Sequence, residues 1–244
     1  MKKSLLAISA FSVLLFVGAG CSKVSNAPTT SLNTPSNTTS VTETDTGAQN
    51  VNMVEVDNDG IATISSQALY DQLGKHVGDK ATQGDQMALP YMYESEKVAE
   101  SLFLAWNTTH ELPILFSLSQ SHAEQKNVIE IVMGGLQVDL SSAVLEDGKF
   151  KDDNIQNLYN KLLPIGNEMR DKAYTSGLLL EESIITNIDT YLERGIDGLS
   201  KTIFEAIKES SGKNMKVLND LLIKDGATYV PQVLSQSEFD SFVK

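Results

Sequence analysis

SHAEQKNVIEIV, residues 121–132, places Ser121, Glu124, Val128 and Ile131 at helical spacing, so the four share one face of an α-helix. Glu124 then falls inside a stripe that an amphipathic helix buries, and Asn127, one turn along, is polar too. Followed outward, the helix opens at Pro113 and runs to about Met133, where Gly134-Gly135 stops it.

Three more long helices flank it. The first spans about Met87 to His110, with Pro90 in its first turn and a stripe of Met92, Ala99, Phe103 and Trp106 that includes Glu96. The third spans about Asn167 to Arg194, with Ala173, Leu178, Ile184, Ile185 and Ile188 around Glu181. The fourth spans about Gly198 to Lys224 and ends at Gly226; its stripe reads Ile203, Ile207, Ser210, Asn214, Val217, Leu221. Between the second and third, a long connection from Leu136 to about Gly166 holds a shorter helix, DDNIQNLYNKLL, capped by Asp152 or Asp153. Two helix pairs with short turns and one long crossover predict an all-α domain over residues 87–244, a four-helix bundle of ferritin-like connectivity. An irregular helical array is the competing arrangement. Residues 51–86 form a lead-in: VNMVEVDNDG is a short strand or extended segment ending at Asp59-Gly60, and a weak helical period runs from Ser65 to Val77.

The first fifty residues have a different character. MKKSLLAISAFSVLLFVGAGC joins a basic front to an apolar run and then to small residues before Cys21, the layout of a secretory signal over residues 1–20. A sole cysteine directly after a small-residue cleavage site resembles the lipobox of bacterial lipoproteins. The resemblance implies cleavage before Cys21, lipid on its thiol and amino group, and a place in the bacterial cell envelope. Ser22 at the next position points to the outer membrane, facing the periplasm, in a diderm cell. With one cysteine, no internal disulfide forms. Residues 21–50 begin with this cysteine and continue as a tract of Ser, Thr, Asn, Pro and Gly that cannot bury enough surface to offset chain entropy, a tether between lipid and domain. The chain carries a net charge of −13. An acidic domain is repelled by phosphate backbones, which excludes nucleic acid as a partner. The membrane, reached through the lipid on Cys21, is the partner this reading assigns.

Each long helix carries a polar residue on its stripe: Glu96, then Glu124 with Asn127, then Glu181, then Asn214. At about 1.5 Å per residue, Glu96 and Glu124 both lie roughly 20 Å from the turn between their helices, and Glu181 lies at a similar depth from the next turn. Asn214 falls about one turn deeper. The shared level predicts a buried polar cluster. Gathered without a cation or an opposing Arg or Lys, the carboxylates would repel and some would take up protons.

ALPYMYESEKVAESLF, AEQKN, DGKFKDDNIQNLYNKLLPIG, SGLLLEES and GATYVPQVLS, in that order from about Ala88 to the C-terminus, resemble a ferritin-like family, domain of unknown function 2202. The resemblance implies a ferritin-like fold with a carboxylate and histidine metal site and no established activity. Carried onto this chain, its inward glutamates match Glu96, Glu124 and Glu181, and its two ligand histidines match Asn127 and Asn214. Oxygen-only ligands favour harder divalent ions over iron. By angle, His122 faces away from Glu124, and His110 lies about 21 Å along its helix from Glu96. No nucleophile elbow, phosphate loop or available cysteine nucleophile is present, so no catalytic residues are assigned. The expected role is a binding or structural module with a degenerate metal site and no assigned cofactor. The alternative is an oxygen-ligated divalent ion at Glu96, Glu124 and Glu181 with redox or storage activity.

Overall fold

A computed structural model describes residues 52–142 and 146–244. The signal segment, Cys21 and the tether therefore lie outside the described residues. Asp57 turns the lead-in back on itself: its Oδ1 accepts from the N–H groups of Asp59 and Ile61, and Gly60 takes a φ of +86° that favours glycine. The turn pairs β1 (Val54–Val56) antiparallel with β2 (Ala62–Ile64), Val54 opposite Ile64 and Val56 opposite Ala62. Where the sequence left strand or extended chain open over residues 51–60, β1 forms, and β2 beyond the turn has no counterpart in the sequence reading. Helix α1 (Ser66–Lys75) follows, matching the weak period.

Helix α2 (Gln83–His110) begins before its apolar stripe does, because Thr82 and Asp85 form a reciprocal capping box. Pro90 thus lies well inside α2 rather than in its first turn. Helix α3 (Pro113–Leu136) passes through Gly134 and Gly135. It ends where Gln137 turns to a φ of +58° and the N–H groups of Gln137 and Val138 bond back to Gly134 and Met133. The crossover carries α4 (Asp153–Glu168), capped by Asp152 Oδ1 on the N–H groups of Asn154 and Ile155. Then come α5 (Arg170–Glu193), α6 (Gly198–Lys224) and α7 (Gln236–Val243); α7 has no counterpart in the sequence reading. Helices dominate the described residues, and the all-α expectation holds apart from the hairpin.

The long helices α2, α3, α5 and α6 surround one apolar core that includes Trp106, Phe103, Phe204, Leu102 and Ile129. Helix α2 packs on α3 and α5, and α5 packs on α6. Helix α4 lies over both α2 and α5, closely enough that a Cβ on Gly166 would stand 2.2 Å from Trp106 Nε1. On the remaining side β2 touches both α3 and α6.

Candidate functional site

Three ionisable side chains from three helices meet in the core. Glu96 on α2, His122 on α3 and Glu181 on α5 are all fully buried. His122 Nδ1 lies 2.7 Å from Glu96 Oε2 and Nε2 lies 3.0 Å from Glu181 Oε1, so the protonated ring donates to both carboxylates. Phe103 stacks on the imidazole with centroids 5.3 Å apart and planes 10° from parallel. Burial by itself disfavours the imidazolium, but the charge and hydrogen bond of Glu181, joined by those of Glu96, outweigh it and hold the ring pKa up at about 10. Burial pushes the Glu96 carboxyl up, against the opposing pull of His122. Glu96 Oε1 and Glu181 Oε2 are buried without a donor.

This centre differs from the one the sequence suggested. Glu96 and Glu181 do come together, yet Glu124 and Asn127 are exposed on the outer face of α3. Partial burial and the neighbouring Glu55 raise the Glu124 pKa. His122, expected to face away, is the group that joins the glutamates. The buried face of α3 runs Leu118, His122, Gln125, Ile129, Val132, Leu136. Its middle is polar, so a stripe chosen by apolar residues slides onto Val128 and Ile131, and Ile131 is in fact 40% exposed. The alternation of four- and three-residue steps through Leu118, Ile129 and Val132 is the signal that leads to His122. Of the other histidines, His110 Nε2 lies 2.7 Å from the carbonyl oxygen of Gly166 and His76 pairs with Asp79.

Asn214 is buried as expected, in a separate and uncharged cluster. Its Oδ1 accepts from the N–H of Ala62 at 3.0 Å and its Nδ2 donates to Ser121 Oγ at 3.2 Å. Ser121 and Ser210 both donate to the Ala62 carbonyl, at 2.6 and 2.9 Å, and Gln125 Nε2 donates to both serine oxygens. Two further buried glutamates hold backbone. Glu94 accepts from the N–H groups of Lys151 and Asp152 just ahead of α4. Glu182 Oε2 accepts from those of Gln232, Val233 and Leu234 ahead of α7.

The central donors do not suit a metal ion as they stand. The carboxylates approach opposite edges of the ring, and the lone pairs of the two nitrogens diverge, so no point lies within ligand reach of all three groups. Among the described residues, no three His, Cys, Asp or Glu side chains converge as a ligand set. What the arrangement does hold is a proton, shared between an imidazole and two carboxylates away from water.

Residues 85–244 match the model of the uncharacterized protein domain DUF2202. The chain belongs to this family. Its DUF2202 domain contains all three members of the central triad, whereas the hairpin and α1 precede it. The uncharacterized protein MJ0754 of Methanocaldococcus jannaschii is 21% identical over 164 residues, covering 66% of this chain and 88% of the relative. The crystal structure of hypothetical protein MJ0754 superimposes with a TM-score of 0.64 at 20% identity, covering 68% of this chain and 94% of that one. That likeness is one of fold.

Proposed function

We propose that this DUF2202 domain is a ferritin-like four-helix bundle, held in the cell envelope by lipid on Cys21, that serves as a binding or structural module in place of a redox metal centre. The observation that carries the reading is the occupancy of both nitrogens of His122 by carboxylates. Carboxylate-bridged metal bundles direct one Glu inward from each of two helices and a Glu-x-x-His pair from each of the other two. Glu96 and Glu181 fit the single-glutamate positions. Helix α3, however, offers Ser119-x-x-His122 and α6 offers Ser211-x-x-Asn214, so both paired glutamates and one histidine are missing. His122, left without a partner ligand, neutralises one of the two remaining carboxylates and ties α2, α3 and α5 together.

Elemental analysis of protein purified without chelator tests the proposal, alongside melting curves with EDTA and with manganese, iron or calcium. The expected result is no stoichiometric metal and an unchanged melting temperature. A second reading, an oxygen-ligated divalent ion, draws support from the unpartnered Glu96 Oε1 and Glu181 Oε2. Stoichiometric metal that disappears in Glu96→Gln would establish that reading and overturn the first. Anchoring is tested separately: Cys21→Ala should move the protein from the membrane fraction to the soluble one.

A further inference from the structure

Three fully buried polar side chains, Ser121 on α3 and Ser210 and Asn214 on α6, converge on the backbone of one residue, Ala62, and a fourth, Gln125 of α3, donates to both serine hydroxyls. The N–H and C=O of Ala62 are both read, the carbonyl by two hydroxyls, and its side chain is 0% exposed. Ile64, on the same face of β2, is buried as well, while Thr63 between them is only partly covered. This is how a protein recognises an extended peptide: main-chain hydrogen bonds for affinity, alternate side chains in pockets for selection. The helices contribute directed polar groups where two packed helices would otherwise place apolar ones.

The hairpin that supplies Ala62 has a turn and ladder of its own, while Val54, Ile61, Ala62 and Ile64 are buried in the core it shares with the helices. Asp57 and Gly60 close its turn without help from the helices, and Val54 pairs with Ile64 within it. It precedes the matched domain, which begins at residue 85. It also places Glu55 near enough to Glu124 of α3 for their like charges to repel.

We infer that the junction between α3 and α6 is a binding slot for an extended peptide strand, and that the hairpin of residues 54–64 is its ligand, held in cis and detachable. The slot takes an uncharged strand segment with a small side chain at the place of Ala62 and a branched apolar one two residues on. Asn214 and Ser210 select the strand by its amide rather than by its sequence.

The test uses the full chain carrying Ala62→Glu, which forces a charge into the slot and expels the hairpin, and a fluorescent peptide of residues 51–66. Saturable one-to-one binding of the peptide to this variant is expected. Binding to the wild-type chain, whose slot is filled, should be at least tenfold weaker. A peptide with Ala62→Pro, lacking the N–H that Asn214 accepts, should not bind. Absence of peptide binding to a helical variant, equal binding to wild type, or equal binding of the proline peptide would each overturn the inference. So would loss of the helical circular dichroism in Ala62→Glu, since the hairpin would then be part of the folding core. Native-state hydrogen exchange on the wild type gives an independent reading. The Ala62 amide should exchange through an opening that leaves Ile129 and Ile207 protected, and exchange of all three at one common rate would refute a detachable hairpin.

Discussion

Replacing His122 with leucine removes the one cation between two buried carboxylates while keeping much of the ring's volume. Glu96 and Glu181 then face each other across the core with no donor, in addition to the oxygens that already lack one. Breaking a buried charge pair by deleting one partner costs roughly 3–5 kcal/mol. The ring pKa gives an independent figure: the rise from 6.5 to about 10 amounts, at about 1.4 kcal/mol per unit, to roughly 5 kcal/mol of preference for the folded imidazolium. At about 2–4 °C per kcal/mol for a chain of this size, His122→Leu should melt roughly 6–20 °C below wild type at pH 7. Stripped of its cation, the Glu96 carboxyl, which burial pushes up, keeps a folded pKa above its unfolded one, so its cost is incurred above the unfolded value of about 4.5 and shrinks as pH falls towards it. Urea denaturation at pH 5 and pH 7 should therefore show a smaller deficit at pH 5. Replacing the entire triad, Glu96→Met with His122→Leu and Glu181→Met, removes the charges together and should recover most of the lost stability. A loss below about 1 kcal/mol for His122→Leu at pH 7, or an equal deficit at both pH values, would refute a charged, hydrogen-bonded triad.

The wild-type protein carries the complementary signature on the alkaline side. Because the folded pKa of His122 lies above its unfolded value, its contribution is complete below about pH 6.5 and is lost as pH rises through about 10. The melting temperature should thus fall from pH 7 to pH 9.5 more steeply than in His122→Leu, which retains Lys97 and the buried tyrosines as a baseline. Glu182→Ala deprives three consecutive N–H groups of their acceptor and should expose residues 232–243 to limited proteolysis before the long helices are cut. Glu94→Ala should do the same for the chain around Lys151 and Asp152, at the entry to α4. Gly166→Ala drives a methyl group into Trp106, and either α4 lifts or the indole moves; a loss of about 1–3 kcal/mol with a shift in tryptophan fluorescence is expected.

The helices were legible because their apolar stripes are long; α6 begins and ends where its glycines and period place it. Glu96 and Glu181 were legible for the same reason, each being a single polar residue among enough apolar neighbours to fix the inward face. Helix α3 defeated the same reasoning because three of its central inward positions, Ser121, His122 and Gln125, are polar. Hydropathy cannot distinguish a buried, satisfied polar run from a solvated one; only the partners on other elements do so. The hairpin was half legible: Asp59-Gly60 announces a turn, but the serine and asparagine groups that receive Ala62 lie 59 or more positions away in the chain. Helix α7 is short, and its anchor, Glu182, belongs to another helix altogether.

The buried acids and amides share one structural role, which bears on what they specify in the domain. Glu94 joins α2 to the start of α4, and Glu182 joins α5 to the segment ahead of α7. Glu96, His122 and Glu181 join α2, α3 and α5, while Ser121, Gln125, Ser210 and Asn214 join α3, α6 and β2. Each of the four long helices is therefore tied to another element through polar contacts of fixed geometry, and apolar packing alone would tolerate a slide of one turn at many of those contacts. A slide of one turn, about 5.4 Å, would leave His122 and Asn214 without partners at a cost of several kcal/mol. Had the triad existed for stability alone, three apolar residues would serve as well or better. Its place at the centre, with the amide cluster selecting a strand on the α3–α6 side, argues that helix register and the seating of the hairpin are what these residues specify.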